Sequence, residues 1–191
     1  MTVIVNKDGD IKSVFDADCG VKHSVDLLPC VEKLVDETKF DFSTADFLVA
    51  VVGAGSFTGI RIGVSTVKGL CFAFNLKVLP ITSFDTIAYN VDSGRRLAII
   101  DAGHNGYYVC GYDKNEVCLE PTYILKDQLL ELKDQYEFLS SEVIKDIETK
   151  VVSIEQGLLK AIELKKQCAT FDIESLKPLY VRKSQAEEGR P

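Results

Sequence analysis

DFLVAVVGAGSFTGIRIGVSTVKGLCFAFN, residues 46–75, decides the fold. Its opening, Phe47–Val52, is an unbroken apolar run rich in β-branched residues and ended by glycine, the pattern of a strand buried on both faces. Gly53 and Gly55 permit a tight turn, Ser56 can accept a bond from a free helical N–H as an N-cap, and no proline interrupts the run to Asn75. The stretch reads as strand, glycine turn and long helix.

On a wheel of ~100° per residue the helix sorts into three sectors. Phe57, Ile60, Val64, Val67, Cys71 and Phe74 make a bulky stripe that should lie on the sheet. Gly59, Gly63, Ser65, Thr66, Gly69 and Ala73 fall in a second arc, interrupted mainly by Ile62, and Arg61 and Lys68 sit together between the two. Glycine inside a helix costs roughly 1 kcal/mol against alanine, and close approach of another backbone is the usual compensation. The small arc is therefore expected to receive a second helix, either from the same chain or from a partner subunit.

Working outward, the chain has 191 residues, enough for one large or two small domains, with 46% hydrophobic and 27% charged residues as in ordinary globular proteins. Its net charge of −7 disfavours independent binding to a polyanion unless basic residues cluster. The compact basic spots, Arg95-Arg96 and Arg182-Lys183, read as solvated surface. No apolar run is read as long enough to span a membrane, and MTVIVNKDGD lacks the pattern of a signal peptide, so a cytoplasmic protein is expected. The six cysteines, at 19, 30, 71, 110, 118 and 168, form no CxxC pair and read as reduced thiols, several in apolar contexts.

Val3–Val5 and Ile11–Phe15 flank Asp8-Gly9 as a hairpin, and Ser24–Glu37 has helical spacing with Pro29 kinking or delaying the first turn. Phe40–Ala45 is a linker. Val78–Ile81 reads as a short strand, followed by a helix capped by Ser83 and running to about Val91. A second half begins after SGRR: strand Leu97–Asp101, a turn at Asn105-Gly106, and a return strand Tyr107–Tyr112. Helices are expected over about Lys126–Tyr136 and Ile154–Lys166, the latter with Leu158, Leu159, Ile162 and Leu164 on its apolar side. Glu137–Leu139 reads as a short strand, Val143–Val152 stays ambiguous, and an apolar segment after Pro178 leads into a polar tail.

Chemistry-bearing patterns are incomplete. GAGSFTG sits where a helix N-terminus could hold phosphate, but Gly59 is one position late for a dinucleotide fingerprint and is followed by Ile60-Arg61 rather than the Lys-Ser/Thr of a P-loop. Asp101, at the end of a strand before Ala102-Gly103, is placed like a phosphate-loop acid. His23, at a helix start, and His104, at a turn tip, are the only histidines and form no metal-binding pair. Ser56, His104 and Asp101 could make a triad on paper, yet there is no G-x-S-x-G elbow.

GAGSFTGIRIGVSTVKGL closely resembles the signature of the bacterial TsaB (YeaZ) family, G-x-G-S-F-T-G-[LVI]-R-[IV]-G. Weaker matches follow in order: VIVNKDGDIKSV, His23-Ser24 to Leu28-Pro29, ITSFDTIAY, LAIIDAGHNGYYV and PLYVRKSQAE, together covering almost the whole chain. The resemblance implies an α/β fold of the ASKHA class (actin-like ATPase, ribonuclease H-like) with two lobes. Residues 1–94 would form the N-terminal lobe with the dimerisation helices, and 95–191 a smaller C-terminal lobe. The family's opening strand, of I-L-A-[IL]-D-T-S type, has no counterpart here, which would leave a gap at a central strand.

The family also implies a function. TsaB proteins partner the catalytic paralogue TsaD, with TsaE, in placing threonylcarbamoyl on the adenosine beside the tRNA anticodon, and TsaD carries the metal histidines and nucleotide. A non-catalytic scaffold follows, with no catalytic, cofactor or metal residues of its own, reaching tRNA only through the complex. The interface would be Gly59, Arg61, Ile62, Gly63, Ser65, Thr66, Gly69 and Ala73, facing TsaD or, when the chain is alone, a second copy. Two other readings stand beside it: a small actin-like phosphotransferase holding ATP between Asp101 and the Gly53 turn, and a self-associating dimer of another role.

Overall fold

The computed structural model describes residues 2–7, 9–15, 23–92 and 94–182. Strand β1 (Thr2–Lys7) pairs antiparallel with β2 (Asp10–Phe15), and Gly9, at φ +89°, donates its N–H to Asn6 Oδ1 at 3.1 Å; Asp8 of the expected turn lies outside the described residues. Helix α1 (His23–Thr38) contains Pro29 in its interior and buries Leu34. Among the described residues the β1–β2 hairpin pairs with no other strand and packs against α1.

The glycine stretch forms a parallel unit. Strand β3 (Phe47–Val51), helix α2 (Phe57–Phe74) and strand β4 (Lys77–Ile81) put Phe47 opposite Lys77 and Val51 opposite Ile81. The next helix, α3 (Ser83–Ala88), differs from expectation at both ends. Its cap is Thr82, whose hydroxyl accepts the Asp85 N–H while the Asp85 carboxylate accepts the Thr82 N–H, a reciprocal box that places Ser83 inside the helix. It stops short of Val91, where the Asn90 side-chain amide donates to the Thr86 and Ile87 carbonyls, orphan acceptors at the end of α3, and to the Ser153 carbonyl before α5.

Five strands build the second sheet: β5 (Arg95–Gly103), β6 (Gly106–Asp113), β7 (Glu116–Leu125), β8 (Glu137–Ser140) and β9 (Lys150–Val151), in the order β7-β6-β5-β8-β9. The β5–β6 turn is built on His104 and Asn105, both at positive φ, so its centre lies one residue before the expected Asn105-Gly106 pair. β7 was not anticipated. It carries Pro121, which an edge strand with irregular register tolerates because one side makes no ladder bonds. Helix α4 (Lys126–Leu130) is much shorter than expected: the chain leaves the helix so that Tyr136 can enter the core beneath Arg95, whose guanidinium lies 4.6 Å from its ring centroid and donates to its hydroxyl at 2.9 Å. Helix α5 (Ile154–Lys165), capped by Ser153, turns Leu158, Ala161, Ile162 and Leu164 to the core, whereas Leu159 is not among the core residues.

Three clusters define the layers. α2 covers one face of β3–β4 through Ala50, Val52, Val64, Cys71 and Val78. The opposite face, with Leu79 and Ile81, meets α3, α5 and one face of the second sheet through Phe84, Ala98, Tyr112 and Ala161. The far face of that sheet buries Leu97, Ile99, Val109, Leu129 and Phe138. Arg96, expected at a solvated surface, is instead fully buried at the seam and donates to the carbonyls of Ala88, Gly94 and Lys114. The last described residues return to the first sheet: Thr170 bridges Val78, Ile173 and Leu176 join the α2 core, and the Leu179 N–H donates to the Val52 carbonyl at 2.7 Å.

Candidate docking site

Helix α2 is fixed at both ends. Ser56 Oγ accepts the Gly59 N–H at 3.3 Å, and Asn75, in the left-handed conformation, returns its N–H to the Cys71 carbonyl. Of the bulky stripe, Ile60, Val64, Val67 and Cys71 enter the core. Its two ends are covered differently: Phe57 stacks on Tyr180 with centroids 4.8 Å apart, and Phe74 stacks on Phe42 at the same separation.

The remaining surface is partly open. Arg61, Ser65, Gly69 and Ala73 are exposed, and Gly59, Ile62, Gly63 and Thr66 are half-buried. α1 packs against α2, yet among the described residues, apart from the helix's own backbone, no atom lies within 4 Å of where a Cβ on Gly63 or Gly69 would sit. Those glycines are therefore not required by any neighbour within the described chain. Between Arg61 and Ser65 on the wheel stands Phe72, 83% exposed, a bulky apolar side chain next to the small residues. Sequence reasoning passed over it because it belongs to neither the bulky stripe nor the small arc.

The two cations of α2 lie on the side where the C-terminal segment runs. Arg61 Nε donates to the Tyr180 hydroxyl at 2.7 Å, with its guanidinium 5.6 and 5.4 Å from the Phe57 and Tyr180 centroids, and Lys68 Nζ pairs with Glu174 at 3.3 Å. By length and composition alone α2, 18 residues long, also meets the requirement for a membrane-crossing helix, as core helices of globular proteins do. Its Val64 and Cys71 are nevertheless buried in a core shared with β3 and β4.

The glycine turn itself is filled. Gly53, at φ +113°, sends its carbonyl to the Ser83 N–H at 2.6 Å, and a Cβ there would lie 2.9 Å from the Leu179 carbonyl oxygen. Ala54, Gly55, Phe57 and Tyr108 together with Leu179–Arg182 line a small depression of about 10 Å³, space for about one water. Asp101 is exposed and its carboxylate caps its own turn, accepting the Gly103 N–H at 2.7 Å. Ser56 is engaged as the helix cap, His104 stands at the turn tip, and His23 begins α1. Five cysteines are free thiols, with Cys71 and Cys110 buried, Cys30 half-buried, and Cys118 and Cys168 exposed; Cys19 lies outside the described residues.

The family model for TsaD, tRNA N6-adenosine threonylcarbamoyltransferase, matches residues 17–133, more than half of the chain. A Pseudomonas aeruginosa structure described as an uncharacterized protein with similarity to peptidase YEAZ aligns at TM-score 0.72 and 19% identity, covering 95% of this chain and 94% of that one. YeaZ from Pseudomonas aeruginosa aligns at TM-score 0.70 and 20% identity over 94% and 93%. The class is thus a mixed α/β protein with the YeaZ fold, which fits an actin-like architecture, within reach of the threonylcarbamoyltransferase family model.

Among sequence relatives, the tRNA threonylcarbamoyladenosine biosynthesis protein TsaB of Escherichia coli K12 is 24% identical over all of this chain and 93% of its own length. The Bacillus subtilis protein of the same name is 30% identical over 63% of this chain and 52% of its own. The chain belongs to the TsaB (YeaZ) family.

Proposed function

We propose that this chain is a non-catalytic docking subunit in tRNA threonylcarbamoyladenosine biosynthesis, the process for which its TsaB relatives are named. The observation that carries the reading is the exposed side of α2, where Gly69 meets nothing among the described residues outside the helix and Phe72 projects beside it; Gly63, equally unfilled, lies about 180° round the helix from Phe72. Two unfilled glycines weaken an isolated helix and suit a surface on which a foreign backbone lies close. The filled glycine turn supports placing the chemistry elsewhere, in the catalytic paralogue TsaD, with TsaE as a further component and tRNA met through the complex. Residues 1–94 and 95–191 would be the two lobes, with the docking helices in the first and segment 170–182 returning to it.

When the chain is alone, the same face would receive a second copy. The deciding experiment is co-purification with TsaD and reconstitution of the tRNA modification. Wild type should bind and support modification, while Gly63→Leu and Gly69→Leu, folded by circular dichroism, should do neither. Normal complex formation by those folded variants sinks the docking reading. Micromolar binding of Mg-ATP by the isolated chain would favour the phosphotransferase instead.

A further inference from the structure

The C-terminal segment touches both the glycine turn and the second sheet, and its contacts are of a different kind at each end. At one end the Leu179 N–H donates to Val52, the Tyr180 ring lies 4.8 Å from Phe57 at an interplanar angle of 10°, and its hydroxyl accepts from Arg61. At the other, the Arg182 guanidinium sits 4.8 Å from the ring centroid of Tyr123 on β7, which meets Tyr108 of β6 edge to face at 5.9 Å. Tyr108 and Leu179–Arg182 line the same small depression as Gly55 and Phe57. Four residues therefore run from the start of α2 to the β6–β7 hairpin, and their stacking and cation contacts are strongest when every ring keeps its place.

We propose that Leu179–Arg182 is a latch that holds α2 and the second sheet in one fixed arrangement, with Tyr180 as its positioning residue. Tyr180 is 42% exposed, its ring meets Phe57 and Arg61 of α2, and it is not part of the core cluster around Val64 and Leu176, so it can be altered without opening that core. The latch prepares the docking helix in advance; that consequence rests on the docking reading above, whereas the latch does not. A preformed surface binds more tightly because less ordering is left to do on association.

The test is amide hydrogen exchange on the purified full-length chain, comparing wild type with Tyr180→Ala, Tyr180→Phe and Arg182→Ala. Tyr180→Ala should speed exchange about tenfold both at residues 52–62 and at residues 106–112, with α5 unchanged. Tyr180→Phe, which keeps the stack and loses the hydroxyl, should show a smaller rise confined to 52–62, and Arg182→Ala should act first at the β6–β7 end. Unchanged exchange at either end in a folded Tyr180→Ala chain overturns the latch. Should that variant fail to fold, absence of any rise in Arg182→Ala at 106–112 overturns it equally. Binding of the same proteins to TsaD is read separately: a wild type that does not bind removes the docking reading and leaves the latch standing.

Discussion

Lys165 Nζ lies 2.8 Å from Asp85 Oδ1, tying the end of α5 to the first turn of α3. Asp85 is buried and also accepts the Thr82 N–H at 2.9 Å and the Tyr112 hydroxyl at 3.0 Å, so every donor around it is committed to one carboxylate. An asparagine there keeps one acceptor oxygen, turns an NH2 group toward a neighbouring donor and leaves Lys165 without its counter-charge. Asp85→Asn should lower stability by about 3 kcal/mol in urea denaturation. A cycle with Lys165→Met should show coupling above roughly 1 kcal/mol, and additive effects would mean the ion pair contributes nothing.

Glycines in the helices divide into two kinds, with opposite expected outcomes. A Cβ on Gly157 would collide with the Thr86 carbonyl and the Asn90 side chain, so Gly157→Ala should cost several kcal/mol, on the order of 3 or more, by forcing α5 off α3. Gly63→Ala and Gly69→Ala meet nothing among the described residues outside the helix and should each raise the stability of the isolated chain by about 0.5–1 kcal/mol through helix propensity alone. Thermal melts separate the two groups, and a destabilised Gly69→Ala would mean the helix has an internal use for that glycine.

Phe72 offers a surface test that leaves the core alone. Phe72→Gln should change the stability of the isolated chain by no more than about 0.5 kcal/mol, because the ring is largely in water already. The same change should abolish association at α2, read as a shift to the monomer position on a sizing column with and without TsaD. Unaltered assembly would remove Phe72 from the interface.

Alkaline pH should destabilise the protein through two buried groups. Burial pushes the Cys110 thiol from 9.0 up to about 12 and the Tyr112 phenol far above 10.0, with Asp85 adding to the latter. Both groups are uncharged when protonated and both are raised on folding. Their stabilisation is therefore complete below about pH 9 and is lost as pH climbs toward 12, because the unfolded chain ionises first. Each pH unit between the two thiol values removes up to about 1.4 kcal/mol. Urea midpoints at about pH 8 and about pH 11 should differ accordingly, and Cys110→Ala should narrow the gap.

The strand–turn–helix unit at residues 46–75 was legible because its signals are local: a β-branched run, a capping serine, and an asparagine that closes the helix in a left-handed conformation. The β5–β6 and β1–β2 hairpins were legible for the same reason. β7 was not, since Pro121 argues against a strand unless one knows that the strand lies at an edge. α4 was read too long because helical spacing through Tyr136 cannot reveal that this ring is claimed by Arg95. At α2, spacing located the small arc, but the open space at Gly63 and Gly69, the exposed Phe72 and the tie from Arg61 to Tyr180, 119 positions away, depend on tertiary placement.

Arg96 has a consequence for how the molecule comes apart. One guanidinium gathers carbonyls from the end of α3, the loop before β5 and the tip between β6 and β7, with no carboxylate among those acceptors. Three stretches that would otherwise fray at separate denaturant concentrations are made to melt as a single cooperative block, so an intermediate retaining the β5–β7 meander without α3 should not accumulate.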